Sequence, residues 1–88
     1  MRIKIQKARS IEEVDVLKSF RIANREFCVI ESVPDDIMLG LYSITLKRSG
    51  YAVMYTNSLI NSKSELLKLI NDTPNFWEKC NQHKTINP

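Results

Sequence analysis

The sequence predicts an α+β fold in one small domain, with helices packed on one face of a mostly antiparallel sheet. Three observations carry that expectation. Two Ser-x-x-Glu signatures, Ser10–Glu13 and Ser62–Glu65, mark helix starts. Several other segments alternate apolar with polar residues or are rich in β-branched and aromatic ones. The chain has 88 residues, 43% of them hydrophobic, which is enough for one core and too little for two. The expected order is β-α-β-β-β-α plus a short C-terminal helical turn, forming a domain over 1–80 with a polar, flexible tail over 81–88.

Each element has its own signal. Ile3 and Ile5 alternate with Arg2, Lys4 and Gln6, the period of a half-buried strand. Ser10-Ile11-Glu12-Glu13 reads as a capping box, so a helix is expected from Ile11 toward Phe20 with Ile11, Val14, Val16, Leu17 and Phe20 inward. Glu26–Val33 is β-rich and is stopped by Pro34-Asp35-Asp36. Ile37–Lys47 and Tyr51–Asn57 are further strand candidates, joined by a turn at Ser49-Gly50. That turn would set Arg48 opposite Tyr51, Leu46 opposite Val53 and Ile44 opposite Tyr55, giving one apolar face. A second capping box at Ser62–Glu65 opens a helix with Leu66, Leu67, Leu69 and Ile70 inward. Thr73-Pro74 then starts a short turn that returns Phe76 and Trp77 to the core.

Composition excludes several chemistries. Gly40 and Gly50 are the only glycines, so no glycine-rich phosphate cradle of the P-loop or Rossmann kind can form. His83 is the only histidine and falls in the polar tail, a poor position for a catalytic base. Cys28, Cys80 and His83 fall short of the four ligands of a structural zinc site. Glu12 and Glu13 read as helix-start residues, and Asp35 and Asp36 as turn residues. No enzyme activity, cofactor or metal is therefore expected. The basic and polar residues of the N-terminal segment break any signal-like apolar run, and no segment is apolar enough to span a membrane. The expectation is a cytoplasmic protein, without membrane partners, whose two cysteines stay reduced.

Two short stretches are similar to known families. Arg48-Ser49-Gly50-Tyr51-Ala52-Val53-Met54-Tyr55 partly resembles the signature strand of RNA-recognition motifs, with Gly50, Tyr51 and Ala52 in place. Val53 stands where that family has a base-stacking aromatic. Arg25–Pro34 is faintly similar to an N-terminal stretch of GNAT-type acetyltransferases, whose glycine-rich coenzyme-binding turn has no counterpart here.

Charge is segregated along the chain. The total is +3, but residues 1–25 hold seven basic and three acidic groups, residues 26–46 four acidic and no basic groups, and residues 47–88 six basic and three acidic groups. The leading expectation is a small binding or regulatory protein that contacts another protein. Glu31, Asp35 and Asp36 beside Ile37 and Met38 would offer an apolar contact rimmed by carboxylates to a basic partner. A sheet edge could instead accept a strand or form a homodimer. The second expectation is nucleic-acid binding through Arg2, Lys4, Lys7, Arg9, Lys47 and Arg48, if the first strand lies near the hairpin tip.

Overall fold

The computed structural model describes residues 1–7 and 9–88, the side chain of Asp35 excepted. Among them are six strands and two α-helices in the order β1 (Arg2–Gln6), β2 (Ile11–Asp15), β3 (Lys18–Ile22), β4 (Arg25–Glu31), β5 (Tyr42–Leu46), β6 (Ala52–Thr56), α1 (Ser62–Asp72) and α2 (Phe76–Cys80). β3-β4-β5-β6 form an antiparallel four-stranded sheet, and β1-β2 form a separate antiparallel hairpin. The helices cover one face of the larger sheet and the β1-β2 hairpin covers the other, so the α+β class holds with one layer more than expected.

The central strand shows why. Phe27 and Val29 point to the helices and join Ile44, Leu46, Leu66 and Phe76. Their neighbours Cys28 and Ile30 point the other way and join Ile3 and Ile5. A strand buried on both faces needs a continuous apolar run, and Phe27-Cys28-Val29-Ile30 is one. Phe27 stacks on Phe20 and packs at a tilt on Trp77, which meets Phe76 edge to face. The two free cysteines lie in different core layers, on opposite faces of the sheet, so no disulfide joins them here. Burial pushes the Cys28 thiol up to about 11, with Glu26 adding and Lys47 opposing. Burial also raises Cys80, against the pull of Arg25.

The helix expected from Ile11 to Phe20 is instead the strand pair β2 and β3. Ile11, Val14, Val16 and Ile22 are β-branched and lose side-chain freedom in a helix. The corner between the two strands is decisive. The Val16 amide donates to the Met1 carbonyl (2.9 Å) and the Leu17 amide to the Val29 carbonyl (2.9 Å), so successive residues bond to different sheets. Ser10 caps no helix, and its carbonyl accepts from the Lys7 amide at 2.8 Å. Ser62–Glu65 does start a helix, without the reciprocal box: Asn61 is the N-cap, Ser62 donates to the Leu59 carbonyl, and Glu65 accepts from Thr56. Leu67, expected inward, is exposed.

The β5-β6 register also differs from the expected one. Ile44 faces Met54 and Thr45 faces Ala52, which leaves Val53 as the extra residue of a bulge. The loop is Lys47–Gly50, two residues longer than Ser49-Gly50 and both on its N-terminal side, because the Gly50 amide closes on the Leu46 carbonyl and the Leu46 amide on the Tyr51 carbonyl. As a result Tyr55 turns toward the hairpin side, and Tyr51, expected inward, is 38% exposed. The last residues, expected as a free tail, run back over this tip. Asn87 brackets the backbone of Lys4, and the Ile86 and Asn87 amides both donate to the Arg48 carbonyl.

Candidate functional site

Antiparallel order places the 32–41 loop and the 57–61 loop at one end of the sheet, beside the β2-β3 corner. Among the described residues, six of the ten exposed large apolar side chains lie there: Leu17, Ile37, Met38, Leu39, Leu41 and Ile60. Met38 is 94% exposed and Ile60 86%. The strand expected over Ile37–Lys47 begins only at Tyr42. Pro34 instead nucleates a short 3-10 turn over Pro34–Asp36, and the Leu39 amide continues it onto the Asp36 carbonyl.

The loop backbone is fastened at several points while its apolar side chains face outward. The Ser32 amide donates to the Leu41 carbonyl at 3.1 Å, and the Ser32 hydroxyl to the Gly40 carbonyl at 2.6 Å. The Leu41 amide donates to Asn57 Oδ1 at 2.9 Å. Gly40 lies so close to β6 that a Cβ there would come within 2.9 Å of the Thr56 nitrogen. From the sheet, the Tyr55 hydroxyl donates to Asp36 Oδ2 at 2.9 Å. Burial and this bond to the Asp36 carboxylate push the Tyr55 phenol up to about 12.

Of the acidic candidates, Glu31 is exposed at the end of β4 and Asp36 is half-buried under Tyr55. The side chain of Asp35 lies outside the described residues. Ile37 and Met38 are exposed as the reading required, and Leu17, Leu39, Leu41 and Ile60 join them. A strand expected over 37–47 hid Leu39 and Leu41, a helix expected over 11–20 hid Leu17, and Ile60 falls in the connection between the last expected strand and the second helix. A usable signal was present: Ile37-Met38-Leu39 has no polar alternation and ends at a glycine.

The basic candidates divide between the two ends. Arg2 lies beside the apolar end and pairs with Asp15 at 3.4 Å. Lys4, Lys47 and Arg48 gather at the opposite end, where Gln6 donates to Gly50 and Asn87 joins the Lys4 and Lys47 backbones. Lys7 pairs with Glu12 at 2.7 Å, and Arg9 is exposed in the β1-β2 connection. Arg21 and Arg25, which the sequence reading did not select, belong to the same end as Lys47 and Arg48. Tyr51, the best-placed aromatic of the RNA-recognition resemblance, stacks on His83 with ring centroids 3.8 Å apart.

Among the described residues no three His, Cys, Asp or Glu side chains are grouped to hold a metal ion. No helix there is long and apolar enough to cross a membrane. No protein-family model, curated protein or solved structure matches this chain.

Proposed function

We propose that this protein is a non-enzymatic contact module that binds another protein through the apolar end formed by Ile37, Met38, Leu39 and Leu41 with Leu17 and Ile60. The observation that carries the reading is Met38, 94% exposed on a loop that Ser32 closes on itself through Leu41 and Gly40 and that Asn57 and Tyr55 tie to β6 and its following loop. A held loop loses little backbone freedom on binding, so more of the burial energy appears as affinity. Each Met, Ile or Leu taken from exposed to buried contributes about 1.5–3 kcal/mol before the costs of association.

The partner that fits is a segment with apolar anchors flanked by Lys or Arg. Glu31 stands exposed at the rim, and Glu13 and Asp15 line the adjoining cleft with it, against one cation there, Arg2, which pairs with Asp15. Carboxylates around an apolar centre favour such a partner and repel acidic ones.

The test is affinity capture from the native host with wild type and Met38→Asp side by side. A partner retained by the wild type and lost by the variant, at unchanged melting temperature, supports the reading. Equal retention by both, or a partner released only by mutations at the opposite end, would refute it. Sedimentation of the same pair tells whether a second copy occupies the loop: a dimer dispersed by Met38→Asp identifies this surface as a self-interface.

A further inference from the structure

At the end opposite the apolar loop, the β3-β4 turn and the β5-β6 tip enclose an open cleft of about 550 Å³. Four cations line it: Arg21, Arg25, Lys47 and Arg48. Glu26 is the one acidic side chain among the described lining residues. Its Oε1 serves two of the cations, at 3.8 Å from Arg21 and 3.7 Å from Lys47. The other two are positioned by neutral partners. Arg25 donates to Asn81 Oδ1 at 2.6 Å and lies over the Trp77 ring, 5.2 Å from its centroid. Arg48 donates through Nε to Thr85 Oγ1 at 2.7 Å.

This arrangement has a consequence for binding. The Glu26 carboxylate cancels one charge of four, so the described side chains lining the cleft keep an excess of three positive charges within a small volume. Neutral acceptors orient the two guanidinium groups without neutralising them, and each keeps further N–H donors in a planar fork suited to phosphate oxygens. Four cations along one open cleft suit several linked anionic groups better than a single carboxylate.

We infer that this cleft binds a polyphosphate anion, a chain of linked phosphate groups supplied by a nucleic-acid backbone or by a free polyphosphate. Arg21, Arg25, Lys47 and Arg48 contact the phosphates, and Glu26 weakens the interaction. The site is independent of the apolar loop, and Met38→Asp leaves it intact.

The experiment is fluorescence anisotropy with a labelled single-stranded RNA oligonucleotide at about 50 and about 200 mM salt, with inorganic tripolyphosphate as competitor. Four phosphate contacts on a single strand give a slope of about −3 in log affinity against log salt. Arg21→Glu with Arg48→Glu, both exposed side chains, should lower affinity at least about tenfold and flatten that slope. Lys63→Glu with Lys68→Glu changes net charge equally on the exposed face of α1 and should have little effect. Glu26→Gln should raise affinity severalfold, an effect that general unfolding would not produce. Displacement of RNA by tripolyphosphate at matched phosphate concentration identifies free polyphosphate as the ligand source, and resistance to it identifies the nucleic-acid backbone. Absence of binding to both probes at the lower salt, or equal weakening by the α1 reversals, would overturn the inference.

Discussion

Tyr55 ties the sheet to the apolar loop through one hydrogen bond, and its burial together with that bond should be visible in the pH dependence of stability. Its folded-state value of about 12 lies above the ordinary phenol value of 10, so the native state holds the proton more tightly than the unfolded chain. The contribution is complete below pH 10 and is lost as pH rises from about 10 to about 12. Denaturant unfolding across that window should show wild type losing stability more steeply than Tyr55→Phe. Gly50 carries a different constraint. Its φ is +73°, and an added Cβ would meet Ile86 Cδ1 at 2.6 Å and the Lys4 carbonyl at 2.7 Å. Gly50→Ala should therefore cost about 2 kcal/mol or more, read as a lower urea midpoint at unchanged m-value. The sequence shows the glycine and its turn. It does not show that β1 and Ile86 crowd the same point, because those neighbours are distant in the chain.

The strands and helices differ in how openly they announce themselves. β1, β4 and α1 were legible, since alternation, a continuous apolar run and a leucine-rich helical stripe each have one simple reading. β2 and β3 were not. Ser10-x-x-Glu13 satisfies a capping template, and Ile11, Val14, Leu17 and Phe20 fall near helical spacing, yet the amides of Val16 and Leu17 find their carbonyls on Met1 and Val29. Such pairing is invisible to a local window. The β3-β4 connection yields a prediction of its own. Ala23 and Asn24 both have positive φ, the two-residue hairpin geometry that favours Asn and Gly. Ala23→Gly removes the left-handed cost of about 1–2 kcal/mol and adds about 0.5–1 kcal/mol of chain entropy, so a net gain of about 0.5–1 kcal/mol is expected in thermal unfolding. Leu66, fully buried where α1 meets the sheet, should behave oppositely: Leu66→Ala is expected to cost about 2–5 kcal/mol in the same measurement.

The molecule as a unit is polarised along its strands. One end presents the apolar loop with Glu31, and the other presents Arg21, Arg25, Lys47 and Arg48. Antiparallel strands bring Arg21 and Arg25 of the first basic segment to Lys47 and Arg48 of the last, while Arg2 and Lys18 stay beside the apolar end. This separation implies that the ends can be altered independently. Met38 is almost wholly exposed, so Met38→Asp should change unfolding free energy by no more than about 0.5 kcal/mol while abolishing partner capture.

The sequence by itself determined the α+β class, the strand that starts at Arg25, the α1 helix and the short helical turn that returns Phe76 to the core. Each follows from local periodicity or from a run too apolar to face water. Tertiary structure alone decided that residues 11–22 extend as strands, that Val53 bulges and turns Tyr55 toward Asp36, and that Ile37, Met38 and Leu39 stay outside. The reason is common to all three. Hydrophobicity says that a side chain gains by burial, but whether a surface exists to bury it depends on which distant strands pair and on which face remains uncovered.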